Sequence, residues 1–502
     1  MFLSRSTISV ALAALLALAC DPADQRGAGP AGANPGESSA APDGSPLQLG
    51  KLLLSPDGRF AVQHADRTFV TDLQAGTVRA LHDRWAAVVF ASSGHVAYAS
   101  LGPAKGIARI DLATLETTWS VVPAFQLAAG ASFMRLSEDD RTLVLGDAER
   151  VFRVDASTGD ILGTTPVAPG PRFAEPLPGQ DRMVVVSTAR WEGSGPHASV
   201  ASIDLATGAA VTLEIPNCAS TPVMVDGGRR ILISPTFCAP GQAEVQQGFA
   251  SVDPISVVDV VGSSLQFRRN LPGFGPVALS DDGTRALAYL DVERVDASLF
   301  EDPSEIPAEG GPRYHLMLLD PRTLEYDVVA VGDVLPRFAF THDAETILVD
   351  SNDVSESATY GVRVQPGAQG VEATTFQKTS SSHLGLLDWS TQVYRPIEGP
   401  IVRLDRWIEL PSGGNVVAVS AAGRSTGPFA SVDLATATSH RYEREAGDVG
   451  LLPDGKLLVS GWSDAAPNAP PSLCASSELP ACELLERQIE AADAGASSEE
   501  PR

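Results

Sequence analysis

The chain has 502 residues, with 62 acidic against 36 basic side chains, a formal charge of −26 and a pI near 4.6. That balance excludes a nucleic-acid partner, whose phosphates need a basic footprint, and argues against electrostatic docking on anionic lipid. The acidic excess is spread along the chain and reads as a solvated surface kept monomeric by self-repulsion, and the ratio of thirty-two arginines to four lysines reads as codon bias.

Residues 1–19 contain one cation, Arg5, and then the apolar run Ile8 to Ala19, which is too short to span a bilayer and fits the core of a secretory signal. Its end, Leu15-Leu16-Ala17-Leu18-Ala19-Cys20, resembles the lipobox of bacterial lipoproteins. It departs from that pattern at Ala17, where Leu is usual, and at Leu18, where a smaller residue is commoner. The resemblance implies that the signal is cut before Cys20, that the thiol is diacylated, and that the new N-terminus is acylated. Several acyl chains together anchor stably where one binds only marginally. The protein is therefore expected to be exported and lipid-anchored to a bacterial membrane, on the periplasmic side or at the cell surface. Asp21 resembles the residue that retains lipoproteins at the inner membrane in enteric bacteria, and the choice of membrane stays open. An ordinary signal peptide with an incidental cysteine is the alternative. Residues 20–47 are the lipidated cysteine and a Gly-, Ala-, Pro- and Ser-rich stretch that buries too little to fold and reads as a flexible tether.

From 48 to 462 one phrase recurs: a tight polar turn, a short apolar strand, then Asp-x-x-Thr or a variant. The turns are Ser-Pro-Asp-Gly at 55–58, Ser-Glu-Asp-Asp at 137–140, Ser-Asp-Asp-Gly at 280–283, Pro-Ser-Gly-Gly at 411–414 and Pro-Asp-Gly at 453–455. The second motif begins at Asp72, Asp111, Asp155, Asp204, Asp320, Asp388 and Asp433, with Asp259 as a degenerate eighth. Short β-branched and apolar runs between turn residues are strands, and no helical period is sustained here. Repetition in four-stranded units is the signature of a β-propeller, so the expected fold is all-β, of seven or eight blades, eight by repeat count. A further half-unit, Val449 to Val459, is expected to complete a blade with the N-terminal strand near Leu47 to Leu54 and so hide two sheet edges.

With strands A to D in each unit, the polar turns are A–B and the Asp turns are C–D, so both mark one face, the scaffold. The long insertions Thr188 to Ser199, Pro235 to Pro254, Asp291 to Arg313 and Asn352 to Ser382 are B–C loops of consecutive units on the other face. Insertions gathered on one face of a repeat protein mark its binding face, solvated loops of no consequence being the alternative. Within the first of these loops Arg190, Trp191, Glu192 and His197 form a candidate sugar or peptide contact.

Besides Cys20, the chain has Cys218, Cys238, Cys474 and Cys482. In an exported chain an even number points to two disulfides, proximity favouring Cys218 with Cys238 and Cys474 with Cys482; three pairings are open, as are reduced, buried thiols. The spacing suits no metal site. Residues 463–502 read as a tail with the small Cys474 to Cys482 loop, then a short helix from Glu483 whose Leu484, Leu485 and Ile489 dock as one stripe.

The runs Ser55-Pro-Asp-Gly-Arg-Phe-Ala-Val62 and Leu452-Pro-Asp-Gly-Lys-Leu-Leu-Val459 resemble the WD-like and YVTN-type propeller repeats of bacterial envelopes, including the propeller of the Tol-system translocation protein. No Trp-Asp dipeptide recurs, and the partner-binding N-terminal domain of the Tol protein is missing. The resemblance covers about 415 residues of turn-and-strand grammar, and it implies a propeller that holds protein partners or polymers.

Catalytic signals are weak. Gly423-Arg-Ser425-Thr-Gly427 matches a nucleophile elbow, with Asp433 and His440 downstream in triad order, but it sits in a hairpin without the helix such an elbow needs. Among the eight histidines, His64, His95, His315 and His342 read as satisfied structural residues. The carboxylates Asp291, Glu293, Asp296, Glu301, Asp302, Glu305 and Glu309 fit no calcium-binding repeat and read as a solvated acidic loop. No cofactor and no metal are expected. The expected function is a non-enzymatic, lipid-anchored envelope module that binds a protein, peptide or polysaccharide; the alternatives are a lactonase- or lyase-like enzyme using the long-loop face and a structural subunit of an envelope complex.

Overall fold

The computed structural model describes residues 52–488, apart from 122–132, 235–253, 351–358, 399–405, 420–426, 461–470, 475–481 and shorter stretches between them. Among the described residues every element is a strand except two single 3-10 turns, Asp226–Gly228 and Ala297–Leu299. Consecutive antiparallel meanders, numbered here as sheets 1 to 9, span 52–81, 87–121, 133–166, 171–215, 222–271, 274–332, 337–396, 406–446 and 449–484. The eight Asp motifs fall one each in sheets 1 to 8; sheets 2 to 9 are four-stranded, and sheet 1 carries a fifth strand in addition. In each, strands A to D pair in chain order.

Strands such as Ala286–Asp291, buried at every position, are continuous apolar runs because each sheet is covered on both sides. The core is accordingly laminated between neighbours. Leu53, Phe60 and Val70 of sheet 1 pack with Trp85, Val88 and Ala97 of sheet 2, and the same sharing recurs between sheets 5 and 6 and between sheets 7 and 8. A strands of adjacent sheets lie against one another, sheet 9 against sheet 1 included, while D strands such as Ile161–Pro166 are mostly exposed. The result is a closed β-propeller with A strands innermost.

The ring closes differently from the expectation. Leu52–Leu54 pairs with Phe60–His64 inside sheet 1, and the half-unit Val449–Leu451 and Leu457–Val459 is completed by Ser472–Cys474 and Cys482–Leu484 from the tail. The propeller therefore runs past residue 462. Nor do the described residues after Glu483 form the expected helix: Glu486–Gln488 is a strand that adds in parallel to Thr77–Leu81, strand D of sheet 1. Unpaired strand edges offer a row of partners to these residues, which a short isolated helix, costly to nucleate, does not match.

Inner and outer contacts close the seam. Leu52 and Leu54 pack with Leu452 and Leu458, and the Leu52 N–H donates to the buried Asp448 carboxylate at 2.7 Å.

The arginine excess also has a structural use. Arg153 of sheet 3 donates to the carbonyls of Leu205 and Ala206 in sheet 4 at 2.6 and 3.0 Å. Arg230 of sheet 5 reaches Pro321 and Arg322 of sheet 6 at 2.7 Å each, and Arg395 of sheet 7 reaches Leu434 of sheet 8 at 2.7 Å. Each spans to the C–D turn of the next sheet, and the guanidinium fork can serve two carbonyls where a lysine ammonium has no fixed fork.

Candidate functional site

The two faces of the ring are built from different parts of the repeat. On the turn face the Asp carboxylates of the seven clear motifs cap their own C–D turns, whereas Asp259 pairs with Arg230 and Arg268. Asp111 Oδ1 accepts from the N–H groups of Ala113 and Thr114 at 2.9 Å each, and Asp433 from Ala435 and Thr436 at 2.9 and 3.0 Å. These bonds to the ionised form hold both carboxyls below the usual aspartate range, the bond from the Thr114 and Thr436 N–H respectively being the largest cause. In the A–B turns a serine does the matching work. Ser55 Oγ accepts from the Phe60 N–H at 2.8 Å and donates to Asp57 at 2.6 Å, and Ser137 and Ser280 repeat the arrangement. The two turn types stand side by side, for the Leu73 N–H donates to the Arg59 carbonyl at 2.8 Å, and Ala156 to Arg141 and Leu205 to Asp181 do the same at 2.9 and 3.0 Å.

The A–B turns are also tied to their neighbours. Asp140 of sheet 3 accepts from the Ser92 N–H of sheet 2 at 2.8 Å, and Glu138 accepts from Gly179 of sheet 4 at 2.7 Å. Gly94 has φ +73°, and a Cβ there would collide with the Asp57 side chain of sheet 1. His342 in sheet 7 sits between two carboxylates: Nδ1 is 2.5 Å from Asp281 of sheet 6, and its backbone N–H donates at 2.5 Å to Glu409, buried in strand A of sheet 8. Burial pushes the Glu409 carboxyl up, partly offset by that N–H. His342 is thus held as a structural residue, whereas nothing in the sequence around Glu409 singles it out.

The opposite face carries the insertions. The segment 188–199 is for the most part not a loop: strands Arg182–Glu192 and Gly195–Asp204 extend sheet 4 beyond its neighbours, with Arg190 opposite His197, Trp191 opposite Pro196 and Glu192 opposite Gly195. The ladder continues past a bulge between Ser187 and Arg190 because both arms find backbone partners as far as Glu192. The four candidate contact residues therefore lie on one hairpin, within its last three cross-strand pairs. In sheet 7 the insertion between strands B and C likewise contains a separate hairpin, Thr359–Gly367 with Gly370–Lys378. Pro235 to Asp253, with Cys238, and also Cys218 and Ser425, lie outside the described residues.

The acidic loop of sheet 6 has a built base. Asp291 ends strand B with 2% of its surface exposed, and Arg313 clamps it from across the loop. Nε lies 3.1 and 3.2 Å from the two carboxylate oxygens, Nη2 lies 2.8 Å from Oδ2, and Nη1 reaches Glu293 at 3.2 Å. The guanidinium also lies 4.9 Å from the centre of the Tyr314 ring. The hydrogen bond to Asp291 raises the Arg313 pKa further, so the guanidinium stays charged. Above it the Val292 N–H bonds the Arg313 carbonyl at 3.0 Å, Asp296 caps the 3-10 turn through Ser298, and Phe300 is buried. His315, one strand position beyond Tyr314, is buried, and burial holds its pKa below the usual histidine value.

Among the described residues no three His, Cys, Asp or Glu side chains converge as a metal site, and no helix is long and apolar enough to cross a membrane. Asp433 is committed to its own turn and His440 is exposed on strand D opposite Ser431, so these two triad candidates have separate surroundings.

No protein-family model and no curated protein matches the chain in sequence. Among solved structures it is similar to a eukaryotic initiation factor at 11% identity and TM-score 0.49, over 81% of this chain and 92% of that one. It is also similar to a dihydro-heme d1 dehydrogenase at 12% identity and TM-score 0.44, over 80% and 78%, and to an oligogalacturonate lyase in complex with manganese at 12% identity and TM-score 0.35, over 74% and 95%. Two of these similar structures are of proteins named for enzymatic activities; the expectation of a chain without catalysis is corrected, because the absence of a familiar motif is no ground for excluding chemistry.

Proposed function

We propose that the propeller is a binding module of the bacterial envelope, tethered through lipidated Cys20 and presenting its B–C face to a protein, peptide or polysaccharide partner. The observation that supports this most is the asymmetry of the ring. One face is spent on capped turns bonded to each other and to neighbouring sheets. The other projects two hairpins and a loop with an ion-paired base from sheets 4, 6 and 7. Such insertions on one side of a repeat scaffold are where recognition is added without disturbing the core. Within this reading the repeats are of the WD-like, YVTN type.

Photocrosslinking residues placed singly at Arg190 and Gly370, and for comparison at Gly76 on the turn face, test the proposal in the intact envelope. The expected result is a discrete adduct from the first two positions and none from Gly76; equal labelling from both faces overturns it. Cys20→Ser tests the anchor separately, with release from the membrane fraction expected and unchanged membrane association defeating the claim.

A further inference from the structure

Register, not sequence proximity, now singles out one cysteine pair. In sheet 9 the hairpin Ser472–Cys474 and Cys482–Leu484 has three cross-strand pairs, Ser472 with Leu484, Leu473 with Glu483 and Cys474 with Cys482. Directly opposed residues of an antiparallel ladder have Cα atoms about 4.5 or 5.5 Å apart, and both values fall within the range of about 4.4–6.8 Å that a disulfide accepts. These are short strands. Three residues each is too little to hold a hairpin by hydrogen bonds alone, yet one residue after it the chain becomes Glu486–Gln488, the strand that lies on Thr77–Leu81 of sheet 1.

We propose that Cys474 and Cys482 form a disulfide that locks a clasp across the ring seam. The bond fixes the outer half of sheet 9, and by doing so delivers the following strand to the open edge of sheet 1. The inner half of the seam is closed independently by Leu52, Leu54, Leu452, Leu458 and Asp448. The clasp therefore governs the rim and leaves the centre shut. The oxidant is a thiol–disulfide exchange protein or a small disulfide such as oxidised glutathione. One cysteine thiolate attacks it, forming a mixed disulfide and releasing a first thiol; the second thiolate then attacks the mixed disulfide at the cysteine sulfur and displaces the second thiol. Two electrons and the two cysteine protons end on the released thiols, and one bond joins Cys474 Sγ to Cys482 Sγ.

The test uses the full chain, folded with oxidised and reduced glutathione, blocked with an alkylating reagent, digested without reduction and analysed by mass spectrometry. A Cys474–Cys482 linked peptide is expected, and both thiols found alkylated overturns the proposal. Hydrogen exchange then reads the clasp. In the Cys474→Ser, Cys482→Ser double variant the amides of 77–79 and 486–488 are expected to exchange at least tenfold faster, while those of Leu52 to Leu54 stay as protected as in the parent. A Cys218→Ser, Cys238→Ser variant, as control, leaves 77–79 unchanged. Linked cysteines with unaltered exchange at 77–79 and 486–488 in the first variant refute the clasp, as does equal loosening in the control. Should the double serine variant unfold, mild reduction of the parent followed by alkylation gives the same comparison.

Discussion

The turn face and the B–C face of this propeller use their polar side chains oppositely. On the turn face the polar side chains point back into the chain: Asp72, Asp111, Asp155 and Asp204 cap backbone N–H groups within three residues, and Asp140, Glu138 and Glu409 accept from the neighbouring sheet. On the B–C face Arg313 and Asp291 form a local clamp, and what rises from it is chain added between strands B and C. A face whose donors and acceptors are already matched has little left to offer a partner. A face that grows by insertion can change without touching the ring, which is why the two differ in length and not in strand grammar.

The largest test of this contrast is Arg313→Ala. It removes the Arg313 guanidinium from the buried Asp291 carboxylate, so a loss of about 3 kcal/mol is expected in urea unfolding. If the clamp is local, protease sensitivity rises within 291–313 and nowhere on the turn face. Removing both Cys474 and Cys482 comes next; closing a loop of this length in the unfolded chain is worth about 2–3 kcal/mol, and a lower melting temperature in the oxidised parent's double variant checks it. Asp72→Ala removes a turn cap and the partner of Arg59 at 3.0 Å, for an expected loss of about 1–2 kcal/mol by denaturant titration.

The smallest effect expected is a pH dependence, and it sharpens the comparison because the two kinds of carboxylate on the turn face carry opposite signs. The folded pKa of Glu409 is raised by burial, so its contribution is fully present below the unfolded value of about 4.3 and is lost as pH rises through the folded value. Glu409→Gln, neutral at every pH, is therefore expected to be more stable than the parent at pH 8 and no better at pH 4. Asp111 and Asp155 are shifted down by their hydrogen bonds; their contribution is present above the unfolded value of about 3.9 and disappears as pH falls through the lower folded values. Melting curves from pH 3 to pH 8 on parent and variant separate the two, and a Glu409→Gln profile parallel to the parent's refutes the assignment.

Much of the scaffold is legible in the sequence alone. Ser55, Asp57 and Gly58 announce a capped turn whatever surrounds them, because the cap, the positive φ of +67° at Gly58 and the turn hydrogen bond from the Gly58 N–H to the Ser55 carbonyl are all local. The candidate face was legible as a set of insertions but not as shapes. Residues 188–199 look like a loop, being rich in Gly and polar residues, and only pairing across the hairpin turns them into strand. Asp291 and Arg313 are 22 positions apart, and no short-range signal joins them.

What the sequence determined by itself, then, is what depends on neighbours within a few residues: the repeat, the all-β class, the common face of the two turn types and the positions where the chain is lengthened. Tertiary structure alone decided where the ring ends, which strand edge the tail covers and why arginine serves at the sheet boundaries. Each of these is a pairing between segments far apart in the chain, whose free energy comes from satisfying an exposed edge, an orphan carbonyl or a buried charge on another sheet. Local propensity carries no record of such partners.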